Sequence, residues 1–346
     1  MATERDGGLS PELEYFLAQR PTHPQMRDSA SLWIMDESGS LALPRITVDA
    51  VGSQWDRPWI QLNLALSDGR ALRVWGQFSS QAAPFGNGRV TVLGAGPLRF
   101  ECLEPFRRWT VSFDGSAQQS TTEAQLLGTQ DGTPTDLAFR FEAQMAAPPW
   151  LMGGLTSEAA HLLASSVEGA LMGGVRYEQL CRIRGFVRLD GRERQIVGTG
   201  MRVRRQGVRN MAAATGHCQH SALFPSGRGF GAIAFAPRAG GSPSFNEGFV
   251  IEADGHRRAV QVIEAPWMRR LVASGDAVGI VLRAGCETIR IEGETLLSTF
   301  DHHLFEMAGS AVLQQSAVRY SWDGEETIGL MERCTRREQI EGLARY

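Results

Sequence analysis

The chain has 346 residues, 42% of them hydrophobic and 21% charged, and 35 basic against 38 acidic side chains leave a formal charge of −3. That length has room for about two domains, each with its own core. The apolar content excludes a disordered chain, and the absence of a basic excess argues against a nucleic-acid partner.

All 35 basic residues are arginine. No run of about 18 or more apolar residues predicts a membrane span, and the charged start MATERDGG has no signal-peptide pattern, so a cytoplasmic protein is expected. The five cysteines (Cys102, Cys181, Cys218, Cys286, Cys334) are widely spaced with no CxxC pair. They read as buried free thiols, with neither a disulfide framework nor a metal site.

In chain order, Ser10-Pro11-Glu12 opens a short helix predicted over 10–20. Leu62, Leu64 and Leu66 then alternate with Gln61 and Asn63 before Asp68-Gly69, and Trp109, Val111 and Phe113 alternate with Thr110 and Ser112 before Asp114-Gly115. Each pattern predicts a half-buried strand entering a tight turn. Phe139, Phe141, Ala143 and Met145 form another such strand. After Pro148-Pro149, Thr156 can cap a helix in which Ala159, Leu162, Leu163, Val167 and Leu171 recur at helical spacing, closed by Gly173-Gly174. Asp190-Gly191 and Asp254-Gly255 mark further turns, and Val318, Tyr320 and Trp322 alternate before Asp323-Gly324. The WTVSFDG (109–115) and VRYSWDG (318–324) segments echo each other and leave an internal repeat open.

The predicted fold class is mainly β, with two antiparallel barrel or sandwich domains joined by a helix. The boundaries read as 1–153 for the first domain, 154–174 for the connecting helix and 175–346 for the second domain.

The segment RYEQLCRIRGFVRLDGRERQIVGTGMRVRRQGVRN (176–210), with GPLRFECLEPFRRWTVSFDG (96–115) and YSWDGEETIGLMER (320–333), resembles a two-domain lipocalin-like family. That family is related to hydroxyneurosporene synthase, the carotenoid hydratase, and to kievitone hydratase and the lipocalin-like Diels–Alderases. The resemblance implies two lipocalin-like β domains with a large apolar ligand cavity near their junction. Family members commonly carry Arg-Asp-His-Ser-Trp-Gly-Pro-Arg-Asp-Trp where this chain has Arg202-Val203-Arg204-Arg205-Gln206-Gly207-Val208-Arg209-Asn210-Met211. Arg202, Gly207 and Arg209 match, whereas the histidine, tryptophan and acid positions do not.

Hydration or cyclisation of an alkene needs a strong acid, which proteins supply as a carboxyl kept neutral by burial, and aromatic faces for the cation that follows. Glu101, Glu178, Asp301 and Glu332 lie within or beside apolar strand patterns and are the candidate acids, each with an arginine-paired or solvent-facing reading beside it. On a strand His217 and Cys218 face opposite ways while Cys218 and His220 share a face, so no metal site is expected, and each histidine reads either as a hydrogen-bonded structural residue or as a proton shuttle. Asp301-His302-His303, flanked by bulky apolar residues, is a second candidate acid–base group or a strand-end turn. Arg202 and Arg204 share one strand face and Arg205 takes the other; they suit a carboxylate or phosphate, or pair structurally with Glu178, Glu193 or Asp190.

The leading functional reading is an enzyme of hydro-lyase or cyclase type, acting on a hydrophobic isoprenoid- or polyketide-like molecule by acid-assisted hydration, dehydration or cyclisation. Its candidate catalytic residues are Glu178, His217, His220, Asp301, His302 and Glu332. The candidate ligand-binding residues are Trp109, Arg202, Arg204, Arg209 and Trp322. The alternatives are a non-catalytic carrier or sensor of an apolar ligand, and a pericyclase-like folding template. No cofactor or metal is expected, the partner is a hydrophobic small molecule, and a homodimer stays open.

Overall fold

The computed structural model describes residues 6–81, 88–129, 131–210, 216–238, 244–302 and 311–343. His303 and Met211 lie outside them. The first half of the described chain runs through β1 (Met26–Asp36), β2 (Leu41–Val51), β3 (Trp59–Leu66), β4 (Arg70–Gln77), β5 (Ser80–Gln81), β6 (Val92–Ala95), β7 (Leu98–Glu104) and β8 (Arg108–Thr121). Helix α1 (Thr122–Leu126), β9 (Thr133–Met145), β10 (Trp150–Leu151), helices α2 (Ser157–Ser165) and α3 (Val167–Met172), β11 (Val175–Leu189) and β12 (Arg192–Val208) complete it. All twelve strands join one antiparallel sheet, ordered β10-β11-β12-β1-β2-β3-β4-β8-β7-β6-β5, and β9 pairs with both β11 and β8. That double pairing closes a circuit β9-β11-β12-β1-β2-β3-β4-β8, so this sheet too wraps around a core.

The remaining strands are β13 (His217–Leu223), β14 (Gly229–Phe235), β15 (Asn246–Ile251), β16 (Arg257–Glu264), β17 (Ile280–Ala284), β18 (Glu287–Asp301), β19 (Ala311–Trp322) and β20 (Glu325–Arg336). They close on themselves as an eight-stranded barrel. The mainly β, antiparallel, two-unit architecture expected from the alternating strands is therefore present. Among the described residues no helix is long and apolar enough to cross a membrane.

Several local expectations change. β11 pairs over its whole length with β12 and over half of it with β9, so residues 175–208 continue the first sheet. The predicted division before Val175 therefore falls inside that sheet, and the chain reaches the barrel only after β12. The helical stretch after Thr156 links β10 to β11 within the first unit and does not join the two units. It breaks at Ser166, whose backbone is extended and whose hydroxyl caps α3 by accepting from the Gly169 amide. The N-terminal helix contracts to one 3-10 turn, Pro11–Glu14, after which Phe16 bridges to Val90. Asp114-Gly115 makes no turn, because β8 runs straight through it; a Cβ on Gly115 would lie 2.9 Å from the Pro97 Cβ, so glycine serves close packing there. The echo with Asp323-Gly324, a true turn between β19 and β20, is thus not structural equivalence.

Three apolar clusters follow from strand parity. Inside the first sheet, Leu32, Ile34, Ile46, Val48, Leu62, Leu64, Trp109, Val111, Phe113, Phe139 and Phe141 form one core. Inside the barrel, Phe224, Phe230, Val250, Ile280, Val318, Tyr320 and Trp322 form another. The third lies between them: Trp33, Met35, Leu180, Met201 and Val203 on the outer face of the first sheet meet Leu223, Ile233, Phe235, Phe249 and Leu330 on the outside of the barrel. β3 is thus covered on both faces, with even Gln61 and Asn63 buried, whereas β8, β9 and the 318–322 stretch of β19 stay half-buried as expected, with Arg140, Glu142 and Arg319 exposed.

Candidate functional site

The junction between the two units holds a cavity of about 130 Å³, and adjacent rows of the β-ladder supply most of its floor. One row runs across the sheet from Arg176 (β11) through Arg205 (β12) and Ser29 (β1) to Asp49 (β2) and Trp59 (β3). The next carries Val203, Ser31, Thr47, Gln61 and Trp75, with Trp33 and Arg45 one step further on. The barrel contributes the roof with His217, Ile233, Phe235, Leu313, Glu332 and Cys334, and α3 closes one side with Leu171 and Met172. Trp75, 39% exposed, stands at the rim beside Trp59, their ring centroids 5.5 Å apart.

Two titratable side chains on neighbouring barrel strands pair at the wall of this cavity. His217 Nε2 lies 2.9 Å from Glu332 Oε1, while Arg45 of the first sheet ion-pairs with Oε2. Gln315 Nε2 also donates to Oε2 at 2.5 Å and its own oxygen accepts from Asn63 at 3.0 Å. Burial by itself would raise the Glu332 carboxyl, but Arg45, His217 and Gln315 together outweigh it and hold the group well below the usual carboxylate range. The neutral buried acid expected from the sequence is therefore not what Glu332 is; opposite charge wins over desolvation. With Nε2 committed to the carboxylate, Nδ1 of His217 makes no hydrogen bond among the described residues.

Around the pair, Arg176 bridges Glu178 and Gln219, and Gln219 donates to Glu178 at 2.7 Å. Glu178 is fully buried beside the cavity, opposite Val203 in the ladder, and touches the lining through Arg176 without lining the space itself. Arg27 pairs with Asp49. Arg209 donates Nε to the Leu171 carbonyl at 2.8 Å. Burial brings Arg209 down to about 9, opposed by the Asp49 carboxylate and assisted by the charges of Arg27, Arg176 and Arg45.

The other candidates occupy different places. His220 points into the barrel, where Nδ1 lies 2.7 Å from the Tyr320 hydroxyl and Nε2 lies 3.1 Å from Cys218 Sγ. The Tyr320 hydroxyl donates to the Leu330 carbonyl, which leaves it to accept from Nδ1–H, and Nε2 then accepts from the thiol. Burial and the nearby Arg333 lower His220 to about 3, and burial raises Cys218 to about 12. This is a satisfied neutral imidazole without access to the cavity. Asp301 ion-pairs with Arg73 at 2.5 Å, and Arg73 lies over Trp75 at the rim. His302 packs on Gly128 and meets Arg337 at 3.1 Å. Glu101 pairs with Arg99 at 3.4 Å.

Arg202 and Arg204 do share a face, but it is the interior of the first sheet. Arg202 pairs with Glu14 at 2.8 Å and stacks over Trp109 at 4.7 Å, and Arg204 pairs with Asp28 and lies over Phe16 at 4.4 Å. Their partners are thus Glu14 and Asp28, not Glu178, Glu193 or Asp190. Trp109 donates Nε1 to Glu14 at 2.7 Å, and Trp322 packs under Arg228 at 3.7 Å inside the barrel. Of the residues expected to bind ligand, Arg209 alone lines the cavity; of those expected to be catalytic, His217 and Glu332 do. Sequence reading missed Trp33, Arg45, Trp59, Trp75, Arg176 and Phe235. The signal for the first four was that β1 to β4 carry bulky or polar residues on both faces.

Two antiparallel wrapped sheets with an arginine-rich cavity between their outer faces define a two-unit lipocalin-like protein. The chain belongs to the family described as domain of unknown function DUF7064, whose pattern matches residues 12–337. No curated protein matches it significantly. Among solved structures it is similar to the AttH-like NE1406 protein of Nitrosomonas europaea, with TM-score 0.56 and 16% identity over 95% of this chain and 98% of that one. It is also similar to CghA solved with Sch210972, with TM-score 0.58 and 13% identity over 96% and 97% of the two chains. Kievitone hydratase from Nectria haematococca aligns with TM-score 0.42 and 9% identity over 93% of each chain.

Proposed function

We propose that the protein is an enzyme that hydrates, dehydrates or cyclises a hydrophobic small molecule in the junction cavity, with His217 as the proton-transfer group and Glu332 as its positioning residue. The observation that carries this is the His217–Glu332 pair itself, set among Trp33, Ile233, Phe235 and Leu313 with Nδ1 unengaged. A carboxylate on one ring nitrogen fixes the tautomer, so the other nitrogen can accept a proton, and the carboxylate then balances the imidazolium charge. Because Glu332 is held ionised, the chemistry that fits is proton removal beside a carbonyl and return of that proton to a departing hydroxyl, or the reverse addition of water. Protonation of an isolated alkene by a neutral carboxyl does not fit.

A cavity of about 130 Å³ encloses a ring or short branched end of an isoprenoid- or polyketide-like molecule, since an engineered cavity of roughly 150 Å³ holds benzene. The remainder extends past Trp59 and Trp75. The similarity in fold to CghA, which was solved with a bound small molecule named Sch210972, supports this reading.

The test is turnover of β-hydroxy and α,β-unsaturated carbonyl compounds bearing aryl or short alkyl tails, followed by mass spectrometry in D2O. H217Q should lower turnover by about 10²–10⁴-fold. If the compounds bind but none is converted or exchanges deuterium, the protein is a carrier or sensor of such molecules.

A further inference from the structure

Five arginines surround or back the cavity, and four of them are occupied. Arg27 pairs with Asp49, Arg45 with Glu332 and Arg176 with Glu178, and Arg209 donates to the Leu171 carbonyl. Arg205 is the exception. It is 8% exposed, lines the cavity, and its side chain makes no hydrogen bond or ion pair among the described residues. Its neighbours across the ladder are Arg176 on one side and Ser29 on the other. Like charges from Arg209 and Arg176 therefore add to its burial, with Asp49 and Glu178 opposing more weakly, and its guanidinium is pushed well below the usual range.

Further polar atoms around the same space lack partners. Trp33 Nε1, Arg45 Nε, Arg176 Nε and Arg205 Nε are buried donors without acceptors, against a single buried acceptor, Asp49 Oδ1. An unpaired buried charge is among the most unfavourable features a fold can keep. Kept at a cavity wall with surplus donors beside it, it is explained when a ligand brings the missing acceptors.

We infer that the ligand carries a carboxylate, bound by the fork of Arg205 at the α3 end of the cavity, with its apolar body directed toward His217, Ile233 and Phe235. A planar two-oxygen anion matches the guanidinium fork in bidentate fashion. A monoanion suits the site better than a dianion, because Asp49 stands in the same row of the sheet, one strand beyond Ser29. The inference rests on the cavity being the ligand site, and it narrows the proposed substrate to a hydrophobic carboxylic acid.

The experiment compares 3-phenylpropanoate and octanoate with 3-phenylpropan-1-ol and octan-1-ol, by thermal unfolding and calorimetry, on the wild-type chain, R205M and R205K. At equal concentration the carboxylates should raise the wild-type Tm more than the alcohols do and bind at least tenfold tighter. R205M should lose that preference, and R205K should keep part of it. Without ligand, R205M should melt higher than wild type by roughly 2 °C or more, because methionine removes the unpaired charge and keeps the volume.

A wild-type protein that does not distinguish acid from alcohol overturns the inference, as does an R205M variant that retains the preference or melts lower without ligand. If carboxylates bind through Arg205 but H217Q changes no turnover, the catalytic proposal fails and this one stands. Conversion of neutral compounds at the same rate by wild type and R205M would leave the catalytic proposal standing and overturn this one.

Discussion

His217 on β13 and Glu332 on β20 are 115 residues apart in the chain, and their Nε2 and Oε1 atoms stand 2.9 Å apart at the roof of the cavity. The two strands are direct ladder neighbours, with His217 opposite Cys334 and Gln219 opposite Glu332. The pair is therefore set by closure of the barrel and held from below by Arg45.

That arrangement separates the roles of the two residues. E332Q keeps a hydrogen-bond acceptor for His217 but loses the charge that balances the imidazolium. For a substrate that is turned over, E332Q should lower kcat by about 10²-fold or more with little change in KM, and H217Q should do at least as much. Steady-state kinetics on both variants decide it; a loss confined to KM would assign the pair to binding alone.

Removing Arg45 leaves Glu332 as a buried charge without its main partner. R45M should destabilise the protein by about 3–5 kcal/mol, and adding E332Q to R45M should recover most of that loss. Urea unfolding of the two single variants and the double variant measures the coupling. Additive losses would mean that the ion pair is not what holds the two units in register here.

Acid stability should show two windows. His220 is lowered to about 3 in the fold from an ordinary value of 6.5, so the unfolded chain takes up its proton first. Its stabilising effect is complete above about pH 6.5 and is lost as pH falls toward 3, at roughly 1.4 kcal/mol per pH unit for one proton. H220Q should flatten the wild-type stability profile between pH 6 and 4.5, read from urea midpoints. Glu332 acts in a lower window. Its folded value is depressed below 4.5, so its contribution is present above that pH and declines beneath it, and E332Q should flatten only this part.

Arg202, although it matches the family pattern, is tied to Glu14 in the core of the first sheet. Burial opposes ionisation of Glu14, yet Arg202, Tyr177, Phe106 and Trp109 together lower it. E14Q should destabilise by about 3–5 kcal/mol while leaving carboxylate binding at Arg205 unchanged in calorimetry. A variant that folds normally but loses the ligand would place Arg202 in the binding machinery.

The match at Gly207 has a comparable structural reason. A Cβ there would lie 2.4 Å from the Gly174 Cα, where β12 passes the turn that ends α3. Two of the three matching positions in this segment, Arg202 and Gly207, thus serve packing, and Arg209 alone reaches the cavity.

Much of the strand content could be read from the chain because period-two alternation is a local property. Leu62 and Leu64 had to share a face, as did Cys218 with His220 and Arg202 with Arg204, and each pair does. The turns at Asp68-Gly69, Asp190-Gly191, Asp254-Gly255 and Asp323-Gly324 were legible for the same reason. Alternation could not rank the two faces, because most of β1, β3 and the 201–205 stretch of β12 bury both of them. A polar residue on the second face, such as Arg45, Asn63 or Arg205, looks from the sequence like a solvent-facing one.

Parity along each strand, turn chemistry and the all-β class were thus determined by the sequence itself, through interactions between residues close together in the chain. Which face became the inside, where the first sheet ended, and which cavity arginine was left without a partner among the described residues were decided by tertiary structure alone. Arg45 and Glu332 lie 287 residues apart, and the fate of either charge depends on a partner that only the packing of the two wrapped sheets brings within reach.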